Sequence, residues 1–353
     1  MMCPAAAPLS SLNTLREVAS TMDHRPAPST HAATPLVTAW HLDGRGGGVP
    51  LDEPALARLW RTPEATLWMH LDFSHADIDH YLAEIAGLDE HMIEALTEED
   101  TRPRVAHFGS GRITTLRGIN LNPGADPDDL ISLRVWLDER RLISVRRRPL
   151  QSVMRVREAL ERGEGPTSAS QTFAGIADAL VDRVADRTHQ LDSQLGELED
   201  RQLNEALDDI DNDELAAIRH PLITLRRFMD PQCHCLARLA EDEILDHTAR
   251  LWMRESANQL NRYVEDFRAM QERAMVLQEQ LTSAHNERLN ERMYLLSIIT
   301  AVFLPLTFLT GLLGINVGGI PGADSPQGFG VVVALSMLVG AAVMALLKKW
   351  RWW

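Results

Sequence analysis

From Met293 to Leu347 only one side chain, Asp324, is charged at neutral pH. Two uncharged runs, Met293–Leu313 with 21 residues and Phe329–Leu347 with 19, fill most of that stretch. As a helix, each is long enough to cross the ~30 Å hydrocarbon core of a bilayer. The chain is therefore expected to end in a transmembrane hairpin. Arg288 and Arg292 precede the first run, and Lys348, Lys349 and Arg351 follow the second. Basic flanks stay on the cytoplasmic side. This places both chain ends in the cytoplasm and makes 314–328 a short outer loop. Residues 348–353 become a cytoplasmic tail, with Trp350, Trp352 and Trp353 as an interfacial anchor. The expected location is the cell inner (plasma) membrane.

Whole-chain averages hide this division. The 353 residues carry a net charge of −15, but the 292 before the first run carry about −17. So acidic a body argues against nucleic acid as a partner, because phosphate contacts need clustered bases. It suits a surface that attracts cations. The three cysteines, Cys3, Cys233 and Cys235, exclude a disulfide scaffold and fit a reducing compartment. Met1–Met22 lacks the basic and apolar regions of a secretory signal, so none is expected. Residues 1–34, with Pro4, Pro8, Pro26 and Pro28 among Ala, Ser and Thr, read as a flexible tail.

Residues 35–165 read as a cytoplasmic α/β (α+β) domain around one sheet. Strands are expected at Leu36–His41, Ala65–Leu71, Arg104–Phe108, Arg112–Asn120, Leu130–Leu137 and Arg141–Arg147. Helices are expected at Asp52–Arg61, Ala76–Ala86, Asp89–Glu98 and Leu150–Arg162, the first opening on Asp52 before Pro54. Gly44-Arg45-Gly46-Gly47-Gly48 lacks a P-loop lysine and reads as a linker or hairpin. His70, Asp72, His75, Asp77, Asp79 and His80 lie close in sequence. Such a set suits either a metal site or a strand end leading into acidic first-turn helix residues, which the helix dipole favours. Arg146-Arg147-Arg148 reads as a solvated or salt-bridged strand edge. No catalytic residue is assigned, and no enzyme activity or cofactor is expected.

Residues 166–292 read as long stalk helices, and from Gln171 to about Arg292 almost nothing breaks a helix except Pro221 and Pro231. Leu260, Tyr263, Phe267, Met270, Ala274, Leu277, Leu281 and Ala284 recur at alternating steps of three and four, a coiled-coil seam running straight into the first apolar run. Between Glu197 and Glu214 nine acids face one base, Arg201. That run is either a solvated helix-hairpin tip or a cation-concentrating surface built from Glu205, Asp208, Asp209, Asp211, Asp213 and Glu214, to which Glu287 and Glu291 are added. Cys233-His234-Cys235 reads as packing, because neighbours on a helix diverge by about 100° and cannot close on one metal.

The two spans, 293–313 and 329–347, differ. The second carries Gly340, Ala341, Ala342 and one hydroxyl, Ser336. In the first, Ser297, Thr300, Leu304, Thr307 and Gly311 share one helical face, with Thr310 nearby. Such a stripe faces protein or water rather than lipid, unless its hydroxyls bond back to their own helix. One helix cannot enclose water, so a pore requires several copies around an axis. Pro305 is expected to loosen the helix beside Ala301. Gly314 permits a sharp exit from the span. Asn316 can turn its amide oxygen to a cation, and a ring of such amides suits the hydration shell of a divalent ion.

Leu304-Pro305-Leu306-Thr307-Phe308, Gly311 and Gly314-Ile315-Asn316, set between a long helix and a second span with a Lys-Lys-Trp tail, resemble the CorA-type divalent-cation transporters. Residues 314–322, Thr101-Arg102-Pro103-Arg104 and residues 116–124 make the chain most similar to the zinc-transporting ZntB branch. The resemblance implies a funnel-shaped homopentamer whose pore is lined by the first span. It puts Asn316 at the selectivity mouth, Thr300, Leu304 and Thr307 along the pore, and Met293 and Leu296 at the inner constriction. Ile315 stands where magnesium-type members usually carry methionine. The first span has no Cys, His, Asp or Glu, the ligands zinc prefers. Passage as a hydrated ion fits it better than direct ligation. Any proton-coupling residue must then lie outside the span, with His189, His285, Glu287 and Glu291 as candidates. The expectation is a transporter of Zn²⁺, with Ni²⁺, Co²⁺ and Cd²⁺ as further candidate cargo, against a Mg²⁺/Co²⁺ channel of the same build or a non-conducting membrane-anchored scaffold or sensor.

Overall fold

The computed structural model describes residues 34–98, 102–203, 212–314 and 326–349. It divides into two compact units: one runs to Glu197 and adds Ala216–Glu272, the other comprises Leu198–Leu215 and the chain from Arg273. The expected 1–34 tail lies outside the described residues except for Thr34.

The first unit is built on a seven-stranded sheet: β1 Leu36–Leu42, β2 Gly48–Pro50, β3 Leu67–Asp72, β4 Arg104–Phe108, β5 Gly111–Gly118, β6 Ile131–Leu137 and β7 Arg141–Arg146. Their order is β2-β1-β3-β7-β6-β5-β4. Every neighbouring pair is antiparallel except β3 with β7. The interior strand β3 reads Leu-Trp-Met-His-Leu-Asp and is buried on both faces, as expected of a nearly continuous apolar run.

Register sorts the side chains. Met69, Ile143, Trp136 and Ile113 lie across from one another on one face. They join one core with Leu56 and Trp60 of α1 (Glu53–Trp60), Tyr81 of α2 (Ile78–Tyr81) and Ile93 and Leu96 of α3 (Glu90–Thr97). The other face packs against α4 (Gln151–Glu161) and α5 (Ala169–Leu203). There Gly118 leaves room for helix side chains: a Cβ on it would stand 2.4 Å from Leu180 Cδ2 and 3.4 Å from Leu150 Cδ2. The result is an α/β domain of three layers.

Local chemistry sets the element ends. The Asp52 carboxylate accepts from Ala55 N at 2.9 Å to cap α1, and Asp89 caps α3 through Met92 N at 2.9 Å. The expected helix over 76–86 is α2 followed by a π turn, Leu82–Ala86, closed by Gly87 at φ 70°. The glycine-rich segment is the β1–β2 turn. Asp43 accepts there from Arg45 N and Gly47 N at 2.7 and 3.0 Å, and these bonds hold its carboxyl below the usual range. The three-residue β2 it leads into was not expected, being too short to show alternation.

Three further helices follow: α6 Asn212–Leu239, α7 His247–Leu313 and α8 Gly328–Lys349. Helix α6 runs through Pro221 and Pro231, where interruptions were expected. Leu222, Leu225, Met229 and Gln232 around them are buried, and this packing offsets the ~3 kcal/mol that an interior proline costs. Helix α7 continues for 67 residues from the body into the first apolar run. Its buried seam passes through Leu260, Val264, Phe267, Met270, Ala274 and Leu277. Val264 takes the place expected for Tyr263, whose hydroxyl instead accepts from Gln259 Nε2 at 2.9 Å on the same helix. A phenol would have to bury its oxygen there, and a valine does not.

Candidate functional site

Helices α7 and α8 are the two described helices long and apolar enough to cross a membrane, and nothing covers their apolar windows within one chain. Leu304 and Phe308 of α7 are 67% and 70% exposed. An apolar surface this extensive requires lipid or further protein around it.

The seven candidates on the first span, Met293, Leu296, Ser297, Thr300, Leu304, Thr307 and Gly311, are all exposed. Their spacing keeps them on one face of an unbroken helix. Ser297 Oγ donates to the Met293 carbonyl at 2.8 Å, and Thr300 Oγ1 donates to the Leu296 carbonyl at 2.8 Å. Thr310 donates to the Leu306 and Thr307 carbonyls at 3.0 and 3.1 Å, and Ser336 in α8 to Val332 at 2.8 Å. Back-bonding, left open by the sequence, is thus the arrangement at these hydroxyls. Thr307 differs, since its hydroxyl has no partner among the described residues. Helix α7 is continuous across Pro305, which leaves the Ala301 carbonyl without its usual i+4 donor. Gly314 ends the span, its N–H donating to Thr310 O at 2.9 Å. Ile315 and Asn316 lie outside the described residues, as do the rest of 315–325, within the loop expected over 314–328, and the tail tryptophans.

Of the acidic candidates, Glu205, Asp208, Asp209 and Asp211 also lie outside the described residues. Asp213 and Glu214 sit exposed in the first turn of α6, and Glu214 pairs with Arg201. Glu199 takes a two-pronged contact from Arg273 at 2.9 and 2.5 Å. Part of this acidic face is therefore matched by arginine. Glu287, Glu291, His189 and His285 are exposed.

In the first unit, the histidine-aspartate set does not converge. Among the described residues, no three His, Cys, Asp or Glu side chains are placed to hold a metal. His70 is 1% exposed inside the sheet. Its Nδ1 lies 2.8 Å from Ser144 Oγ, which also accepts from Trp68 Nε1 at 2.9 Å. Burial, with Arg146 adding to it, pushes His70 down to about 3, so the ring stays neutral. A serine beside a histidine suggests a nucleophile and its base, but both side chains are sealed from solvent. Asp72 instead accepts from Ser74 N and Oγ at 2.9 and 2.6 Å at the strand end. Cys233 Sγ donates to the Ala257 carbonyl at 3.4 Å, and burial raises the Cys235 thiol to about 11, which suits packing.

Long-range polar contacts were the features that sequence reasoning missed. Arg112 of β5 grips Asp242, in the α6–α7 connection, at 2.6 and 3.0 Å. Burial pushes Asp242 up, but the Arg112 guanidinium and the Ile244 N–H outweigh it and hold the carboxyl below its usual range. Gln232 of α6 accepts from Arg117 N at 2.6 Å and donates to Arg117 O at 3.1 Å, which completes the β5 edge just past its pairing with β4. No local pattern could have announced these partners.

A three-layer α/β body whose last long helix becomes the first of two apolar helices defines a membrane-anchored protein. Residues 63–349 match the family described as CorA-like Mg2+ transporter protein, and the chain belongs to that family. It is 40% identical to "Divalent cation transporter CmaX" of Pseudomonas aeruginosa over 321 residues, 90% of this chain and 96% of that one. It is 36% identical to "Zinc transport protein ZntB" of Pectobacterium atrosepticum over 318 residues, 90% of this chain and 95% of that one. The solved full-length CmaX structure superposes with a TM-score of 0.78 at 39% identity, covering 92% of this chain and all of CmaX. The complete CorA magnesium transporter structure from Methanocaldococcus jannaschii has a TM-score of 0.73 at 17% identity, covering 89% of this chain and 98% of that one, a likeness of fold.

Proposed function

We propose that the protein is a divalent-cation transporter of the inner membrane. It moves Zn²⁺, and with it Ni²⁺, Co²⁺ or Cd²⁺, through a homopentameric pore lined by the 293–313 segment of α7, with both chain ends in the cytoplasm. The observation that carries this reading is the gathering of hydroxyls on one face of that exposed segment, where Ser297, Thr300 and Thr307 alternate with Leu304 and Gly311. Relatives named for divalent-cation and zinc transport support the cargo class. Gly314, Ile315 and Asn316 form the outer mouth. Asn316 holds the ion through its hydration shell, because hard divalent ions dehydrate reluctantly. The acids Glu205, Asp208, Asp209, Asp211, Asp213, Glu214, Glu287 and Glu291 add to the negative charge that raises the local cation concentration. Transport of Mg²⁺ is the second reading, favoured by the family description.

Metal influx into proteoliposomes holding a zinc-sensitive dye tests the proposal. Wild type is expected to admit Zn²⁺, and Asn316→Ala to abolish the signal. Influx of Mg²⁺ without Zn²⁺ would move the protein to the second reading, and silence for every divalent ion would discard transport. Repeating the assay with an imposed pH gradient reads proton coupling directly.

A further inference from the structure

Two segments have no part in the proposed pore: Arg146-Arg147-Arg148, where β7 ends, and residues 116–124, where β5 ends. They meet at the start of α4. A Cβ on Gly118, the last residue of β5, would stand 3.4 Å from Cδ2 of Leu150, the residue before the helix. Asn122 Nδ2 donates to the Pro149 carbonyl at 3.2 Å, and Gln151 Nε2 to the Leu121 carbonyl at 3.4 Å.

This junction is rich in donors and poor in acceptors. The N-cap of α4 is Leu150, whose side chain cannot accept, so the first-turn N–H groups have no side-chain cap. Asn120, two residues past Gly118, is 1% exposed. Its Oδ1 accepts from Asn122 N at 3.2 Å and Asn122 Nδ2 at 2.9 Å. A backbone N–H can only donate, so the amide is held with its oxygen toward Asn122 and its NH₂ away. That Nδ2 is buried and has no partner among the described residues. Ser152, the second residue of α4, is 4% exposed, and its Oγ has none either. The helical hydroxyls of Thr97 and Thr188, by contrast, bond back to their own helices. By register Arg146 lies on the sheet face of Gly118, and its buried Nη1 has no partner among the described residues.

Buried donors without acceptors are costly, and something must satisfy them. A water also needs acceptors for its own two hydrogens, and the carbonyls of Pro149 and Leu121 are already engaged. An anion needs donors alone, and a helix N-terminus favours negative charge. We propose that Asn120 Nδ2, Ser152 Oγ and the first-turn amides of α4 bind a small monatomic anion of the chloride type. Arg146 adds positive charge from the same face, whereas Arg148 is taken by Asp129. The bound ion pins the end of β5 to the start of α4. This site in the cytoplasmic body is independent of the pore reading.

Thermal melting of the full chain in detergent tests it, with gluconate as the reference anion at fixed pH and ionic strength. Exchanging gluconate for chloride or bromide should raise the melting temperature by about 3 °C, as for a ligand that binds only the folded state. Phosphate, too large for a closed site, should not. Asn120→Leu and Ser152→Ala each remove an orphaned donor. Both should melt no lower than wild type in gluconate and lose most of the chloride increment. Crystals grown in bromide should show an anomalous peak in contact with Asn120 Nδ2. Equal melting of wild type in chloride and gluconate, an undiminished increment in Ser152→Ala, or a bromide peak only elsewhere would each overturn the proposal. Stabilisation by phosphate and not by chloride would overturn the monatomic assignment. Should Asn120→Leu fail to fold, Ser152→Ala and the bromide crystal decide.

Discussion

The sheet-bearing body and the first apolar span differ in how far their polar groups reach for partners. Hydroxyls of the body's helices, such as Thr97 and Thr188, also bond back four residues, but the body adds partners from far along the chain: Arg112 and Asp242 are 130 residues apart, Arg117 and Gln232 115, His70 and Ser144 74. In the span, Ser297 and Thr300 each bond four residues back on the same helix. A segment that enters hydrocarbon must satisfy its backbone and side chains internally, because neither water nor a finished fold is at hand. The body folds in water and can wait for distant partners. Long-range pairs make the body cooperative, and local ones let the span keep its helix whatever surrounds it.

The strongest way to sharpen this contrast is acid. In the unfolded chain His70 takes up a proton below about pH 6.5, while in the folded body it resists until about 3. Between those values the unfolded state binds more protons, so stability falls as pH is lowered through the window, by about 5 kcal/mol across all of it and about 3 kcal/mol by pH 4. Denaturant titrations at pH 7 and 4 should show the loss in wild type and a shallower slope in His70→Gln. An unchanged slope would mean that the ring is not buried neutral.

Arg112→Ala should cost the body about 3 kcal/mol, because it strands the Asp242 carboxylate in a half-closed site. Thermal melting of the wild-type and variant full chains in detergent measures it, and a shift of less than a degree would contradict the pairing. The smallest effect belongs to the membrane. Ser336→Ala removes a back-bond whose carbonyl keeps its regular helical partner, so the change should stay below about 1 kcal/mol. A destabilisation comparable to that of Arg112→Ala would show that the hydroxyl serves a partner outside its own helix, and would break the comparison.

Features written within a dozen residues were legible in advance. Six strands, the Asp52 cap, the glycine turn, the end of the span at Gly314 and the shared hydroxyl face all follow from local periodicity and turn chemistry. The π turn at Leu82–Ala86 was not legible, because its pattern is also that of an α-helix. Nor was the choice of Val264 over Tyr263, because both fit an alternating seam and only the packed neighbours distinguish an apolar branch from a phenol. Prolines 221 and 231 misled for the same reason: their local cost is real, but buried contacts elsewhere on α6 outweigh it. At the candidate site, the face was readable and the direction of its hydroxyl protons was not.

What the sequence determined by itself is the division of the chain into an acidic α/β body and two apolar spans. Hydrophobicity over about twenty residues is a local sum, and a bilayer reads it directly. Only the tertiary structure decided that His70 is a sealed core residue rather than a ligand, that Arg112 belongs to Asp242, and that Gln232 completes a strand edge. Each of those depends on which distant segments meet, and the free energy of burial is settled by that meeting rather than by any one stretch of chain.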